Sequence, residues 1–118
     1  MKPDEFLEQL KEVIGGYTIT AIYPPAELAN GKLLKARFLG ADFSSLEEMR
    51  ENFAKARDFL LSHGFVQDNS SNIPFPRSYY CDFGIFCKPF YRVDDPCPFG
   101  YQLTFRVEII LYFDEEEK

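Results

Sequence analysis

Three cysteines and one histidine are the most chemically versatile residues of this chain. Cys81 and Cys87 lie six residues apart in a stretch that alternates like a β-strand, so about 20 Å separates them. That distance excludes both a shared zinc ion and a disulfide bond between the two. Both are expected to act as small apolar side chains, and no metal site or cofactor is predicted.

Cys97 lies apart from that stretch, in the stiff segment Asp95-Pro96-Cys97-Pro98. A nucleophilic cysteine needs a base nearby, and His63 is the single histidine of the sequence. A Cys97-based enzyme is therefore an alternative, although no second feature supports it. The acidic pairs at 47–48 and 94–95 are typical of a helix start and a turn. The sequence contains no phosphate-binding glycine loop or metalloprotease motif, so the prediction is a non-enzyme without catalytic residues.

Aromatic residues are abundant, with 13 Phe and 7 Tyr but no Trp. Between Phe75 and Arg92 they are interleaved with basic side chains, a pattern on which single-stranded nucleic acid can stack. The net charge of −6 argues against that use, because a general nucleic-acid binder needs excess Lys and Arg to displace counterions. We therefore expect no general nucleic-acid binding.

The element that must position these residues is the stretch 101–113, in which every odd position is apolar. This period of two predicts a half-buried strand. The even positions are polar from Gln102 to Glu108 and then turn apolar at Ile110 and Tyr112. The end of this strand is therefore apolar on both faces. Either a helix or loop of this chain covers its even face, or a partner does.

Two amphipathic helices are predicted, at 3–14 and 44–63. Gly15-Gly16 ends the first, and Ser44 with Glu47 forms a capping box at the start of the second. The remaining alternating segments predict strands, although good helix formers leave a helix open for 32–39. The other predicted strands are 17–23, 65–67 and 78–88.

These elements predict an α+β fold in the order α-β-β-α-β-β-β. Its mostly antiparallel sheet has four to five strands, with the two helices packed on one face. We expect one domain at 1–113, followed by an acidic tail at 114–118. The odd cysteine count and the absence of a signal peptide favour a cytoplasmic setting. No apolar run approaches the roughly 20 residues of a membrane span.

The two long strands, 78–88 and 101–113, are expected to pair antiparallel, with paired residue numbers that sum to 188. This register places Asp82 opposite Arg106, an attractive pair worth about 0.2–1 kcal/mol. A sum of 190 would instead place Asp82 opposite Glu108, and the two charges would repel. The prediction is therefore the register of 188.

The sheet face away from the helices is the predicted site, because it combines aromatic, aliphatic and charged side chains. We predict a small acidic protein-binding module that uses this face or a sheet edge, with a homodimer as its simplest form. One alternative is an acidic inhibitor of a nucleic-acid-processing complex, encoded by a phage or mobile element; another is a small-ligand domain with an aromatic pocket. The predicted binding residues are Tyr80, Asp82, Phe86, Arg106, Glu108, Ile110 and Tyr112.

Overall fold

The computed structural model describes residues 2–28, 30–67, 76–87, 91–92 and 103–113. At 85–87, 91–92 and 103 the description is limited to the backbone. The predictions made for Cys97, for the first two residues of the 101–113 strand and for the acidic tail at 114–118 lie outside the described residues.

Two helices and a mixed, mostly antiparallel sheet make up the described chain, which confirms the predicted α+β class and element order. The region 32–39, for which a helix was the alternative, lies in a strand. Helix α1 spans Pro3–Ile14 and α2 spans Leu46–Ser62. The strands are β1 (Tyr17–Glu27), β2 (Leu33–Phe43), β3 (Val66–Gln67), β4 (Ser78–Cys87), β5 (Tyr91–Arg92) and β6 (Leu103–Phe113).

The sheet has the strand order β1-β2-β6-β4-β3. The three long pairings, β1 with β2, β2 with β6 and β6 with β4, are antiparallel. The short β3 pairs parallel to β4, and the two-residue β5 pairs antiparallel with the end of β4. Strand β6 is therefore central and β1 is an edge.

Local chemistry sets the helix ends. Helix α1 starts with Pro3, which has no backbone N–H; an N–H in the first turn of a helix would have no acceptor within the helix. Gly15, at φ 65°, follows the last residue of the helix. Helix α2 is capped by Ser45, whose Oγ accepts a hydrogen bond from the backbone N–H of Glu48 at 3.1 Å. The Glu48 carboxylate accepts in turn from the Ser44 N–H at 3.4 Å. The N-cap is therefore Ser45, one residue later than predicted, and the Glu48 carboxylate accepts from the residue before the cap rather than from the cap itself.

Both helices pack on one side of the sheet, which we call the helix face. Alternate residues of β2 and β6 point into this side, so their apolar periodicity buries a single layer against the helices. Phe6 of α1 stacks on Phe65 with ring centroids 4.9 Å apart, and both rings meet Phe113 edge-on. The buried core of this face comprises Phe6, Leu7, Leu10, Ile14, Leu39, Ala41, Phe43, Met49, Ala56, Leu60, Phe65, Tyr79, Val107, Ile109, Leu111 and Phe113.

The predicted pairing of β4 with β6 is confirmed, but the predicted register is wrong. Asp82 lies opposite Glu108 and Gly84 lies opposite Arg106, so paired numbers sum to 190. The predicted register depended on giving Arg106 an acidic partner on β4. Strand β2 supplies that partner instead, because Asp42 lies directly opposite Arg106 from the other side. With Arg106 already paired, the ion pair no longer selects the register between β4 and β6.

Candidate functional site

The side of the sheet opposite the helices, which we call the distal face, carries the predicted site. The strand registers bring its side chains into rows that cross β1, β2, β6 and β4, and one row runs Ala21–Phe38–Ile110–Tyr80. Four strands at a spacing of about 4.8 Å make each row about 14 Å wide. A surface of that width can accommodate a strand or a helix of another molecule.

One half of the distal face is aromatic and aliphatic. The Tyr23 and Phe38 rings stack in parallel, with centroids 5.2 Å apart and an interplanar angle of 6°. Tyr23 and Tyr80 are exposed, whereas Phe38 is half-buried. Ile110 and Tyr112 are also half-buried, although both helices lie on the opposite side of the sheet. We define the apolar patch as Tyr23, Phe38, Tyr80, Ile110 and Tyr112.

The other half of the distal face is charged and centres on Arg106. Its Nη1 lies 3.3 Å from Oδ1 and 3.4 Å from Oδ2 of Asp42, and its Nε lies 3.1 Å from Oε1 of Glu108. The Asp42 side chain is 1% exposed and that of Arg106 is 11% exposed. A buried carboxylate of this kind needs its cation, so the pair holds β2 and β6 in register.

Gly40 provides the space in which this guanidinium lies. A Cβ atom added at Gly40 would come 2.5 Å from Nη2 of Arg106, well inside van der Waals contact. Gly40 lies opposite Glu108 on β6, so the glycine and the carboxylate both border the same cation. The sequence pattern did not point to this role, because a lone glycine after a strand is more often a turn residue.

Asp82 gives the charged half its outward negative potential. It is exposed, it lies opposite Glu108, and its Oδ1 accepts a hydrogen bond from the Phe83 N–H at 2.9 Å. Among the described side chains of this half, the Arg106 guanidinium contacts the carboxylates of Asp42 and Glu108, and the third carboxylate, that of Asp82, lies opposite Glu108. The charged half therefore has an excess of negative charge.

The distal face gathers six of the seven predicted binding residues. Tyr80, Ile110 and Tyr112 lie in its apolar half. Asp82, Arg106 and Glu108 lie in its charged half. The backbone of Phe86 lies opposite Thr104, and its side chain is outside the described part of the chain.

Sequence reasoning missed the contributions of β1 and β2 to this face. Tyr23 and Phe38 complete the apolar patch, and Asp42 completes the charged half. The prediction ended the second strand at Leu39, although apolar and polar residues continue to alternate through Phe43. Extending the strand through Gly40 would have placed Asp42 on the same face as Phe38.

The candidate cysteine chemistry finds little support at Cys81. This thiol is half-buried on the helix face, and burial first and the Asp82 charge second raise its pKa to about 12. The thiolate needed for nucleophilic attack is therefore scarce near neutral pH. His63 follows the last residue of α2, where its ring packs against Phe6 and Phe59 and its Nδ1 is 2.9 Å from the Phe59 carbonyl oxygen. Cys97 lies outside the described residues.

Within the described ranges, no three His, Cys, Asp or Glu side chains are grouped so that they could hold a metal ion. Neither of the helices in those ranges is long and apolar enough to cross a membrane.

No family model, curated protein or solved structure matches this chain. The functional argument therefore depends on the geometry and charge of the distal face.

Proposed function

We propose that the protein is a non-catalytic binding module that docks another protein on its distal face. The observation that supports this proposal is the apolar patch on the side of the sheet away from both helices, in which Tyr23 and Tyr80 are exposed and Phe38, Ile110 and Tyr112 are half-buried. Tyr is among the residues that most often anchor interfaces, and Tyr23 and Tyr80 are both exposed there. Contiguous apolar surface of this kind usually marks an interaction site.

The charged half narrows the chemistry of the partner. Asp82 and Glu108 direct negative charge outward next to the apolar patch, whereas Arg106 is held by Asp42. A complementary surface therefore combines apolar side chains with Lys or Arg. Charge complementarity of this kind raises the association rate and excludes acidic partners.

An acidic inhibitor is a narrower form of the same proposal. A basic groove of a nucleic-acid-processing complex, as a phage or mobile element would target, has the charge that Asp82 and Glu108 complement. Binding of that kind weakens steeply as salt is raised, because exposed charges are screened. The small-ligand pocket, the cytoplasmic setting and the lack of enzyme activity stay predictions from the sequence.

The test uses defined peptides and two matched variants. Peptides that alternate apolar residues with Lys are compared, by fluorescence anisotropy, with peptides of the same length that carry Glu instead. We expect the Lys series to bind and Ile110→Asp to weaken it at least tenfold. Leu61→Asp is the control, because Leu61 is also an aliphatic residue but is 51% exposed on α2, whereas Ile110 is half-buried on the distal face; circular dichroism confirms that both variants fold.

Affinity capture with the same variants extends the test to natural partners. A genuine partner is retained by the wild-type chain and by Leu61→Asp and is lost with Ile110→Asp. Equal binding of the Lys and Glu peptides, or equal losses for the two variants, would contradict docking on the distal face.

A further inference from the structure

Among the described strands, β1 is an edge of the sheet, and its first seven residues carry none of the usual protections against pairing. Edge strands of natural proteins carry charges, prolines or bulges that prevent another strand from adding to them. The segment 17–23 has no charged residue and no proline. Pro24, Pro25 and the irregularity between Tyr23 and Ala26 come only after it.

Both faces of this segment are accessible. On the helix face Ile22 is 73% exposed, and on the distal face Tyr17 is 60% exposed. The helices pack over β2 and β6 and leave Ile22 beyond the core. A strand that added to β1 would therefore meet open backbone groups and apolar side chains on both sides.

The segment Tyr-Thr-Ile-Thr-Ala-Ile-Tyr has a tyrosine at each end, three residues from Thr20, and only uncharged residues between them. An antiparallel second copy centred on Thr20 would place Thr20 opposite Thr20, and Tyr17 opposite Tyr23 of the other copy. Thr18 would then face Ile22, and Ile19 would face Ala21. Aromatic, β-branched and Thr–Thr cross-strand pairs are the favourable ones, each worth about 0.2–1 kcal/mol.

Charge also favours a second copy at this edge over one at the distal face. Two distal faces brought together would confront Asp82 and Glu108 of both copies. The segment 17–23 brings no ionised side chain to the contact, so the net charge of −6 repels only from a distance.

We propose that two copies of this chain pair through β1, antiparallel and centred on Thr20. In this register the paired residue numbers sum to 40, so each odd residue lies opposite an odd residue of the other copy. Residues of the same face are therefore paired, which makes the two-fold axis perpendicular to the sheet. Both distal faces then lie on the same side of one continuous sheet. The interface is small, so the dimer is weak and depends on concentration. This inference deepens the interaction role proposed above, but it does not require a partner on the distal face.

A charge exchange at Thr20 tests the proposal, with sedimentation velocity over a wide range of concentrations. Thr20→Lys and Thr20→Glu each place like charges opposite one another at the two-fold axis, so each is expected to weaken self-association at least tenfold. An equimolar mixture of the two variants is expected to restore a heterodimer. Val66→Lys is the control, because Val66 is 47% exposed on β3, at the opposite end of the strand order from β1.

Thr20 is half-buried, so circular dichroism must show that its variants fold. Ile22→Lys gives a second test at the most exposed position of the segment, where a lysine costs the monomer little. A chain that stays monomeric at millimolar concentration would overturn the proposal. Self-association that Thr20→Lys and Ile22→Lys leave unchanged would also overturn it. So would an equimolar mixture of the Thr20→Lys and Thr20→Glu variants that does not form a heterodimer.

The two proposals fail separately. A monomeric Thr20→Lys that still binds the Lys peptides would show distal-face docking without the need for a dimer. An Ile110→Asp variant that loses peptide binding and keeps the wild-type dimerisation constant would show that self-association does not use the distal face.

Discussion

Strand β6 presents two faces that differ at alternate residues. Val107, Ile109 and Leu111 are fully buried beneath the helices, whereas Glu108 and Ile110 on the distal face are half-buried. The helix face is completed by this chain's own helices, so its side chains contribute mainly to folding. Both described helices lie on the helix face, so the half-buried apolar side chains of the distal face are the ones proposed to contact another molecule. The comparison separates residues that stabilise the fold from residues proposed to bind.

The largest expected contrast is between neighbouring positions of β6. Leu111→Ala is expected to lower the free energy of unfolding by about 2–5 kcal/mol, because it leaves a cavity in the core. Ile110→Ala is expected to cost about 1 kcal/mol or less, because its half-buried site can relax. Urea denaturation of the two variants checks both values. Equal losses would show that the distal face is as well covered as the core.

A smaller effect is expected from the ion pair that joins β2 to β6. Asp42→Ala removes the buried carboxylate that pairs with Arg106, which should cost about 3 kcal/mol. Asp4→Ala is the matched control, because Asp4 is exposed while its 2.8 Å pair with Arg37 joins α1 to the sheet. That variant should cost about 1 kcal/mol or less. Chemical denaturation measures the loss of unfolding free energy in both variants. A smaller loss for Asp42→Ala than for Asp4→Ala would show that packing, and not the ion pair, fixes the register of β2 with β6.

The smallest effect, absent at neutral pH, concerns the thiol on the helix face. Burial raises the pKa of Cys81 from 9.0 in the unfolded chain to about 12, so the folded protein retains a proton that the unfolded chain loses. Stability should therefore fall as pH rises from about 9 to about 12. Burial also raises the pKa of Tyr79, which acts in the same direction.

Denaturation midpoints measured between pH 8 and pH 11 check this alkaline effect. Cys81→Ala should flatten the decline, and the remaining slope then belongs to Tyr79 and other groups. An unchanged slope in Cys81→Ala would mean that the thiol titrates at its ordinary pKa in the folded protein.

Periodicity was sufficient for the two helices, for the presence of the long strands and for the division of β6 into two faces, but it did not predict the two-residue β5. The alternation of 103–113 and the spacing of apolar residues in both helices depend on burial, which acts on each element separately. The register of β4 against β6 could not be obtained in that way. It depended on which strand supplies the carboxylate for Arg106, and the predicted second strand stopped before Asp42.

The start of α2 shows the same limit at a smaller scale. Ser44 with Glu47 and Ser45 with Glu48 both satisfy the capping pattern, and only the second pair forms. The difference of one residue depends on where β2 ends and the chain turns. The apolar patch was only half predicted for a similar reason, since Tyr23 and Phe38 join it through strand order rather than through their own sequence.

The short length of β3 has a consequence for assembly. A sheet that could accept strands at both edges would grow into an open-ended filament. The described β3 offers only Val66 and Gln67, whereas β1 spans Tyr17–Glu27 and contains the segment proposed to pair with a second copy. Pairing of β1 with its own copy uses the same edge of both molecules, so the assembly closes at two and cannot propagate.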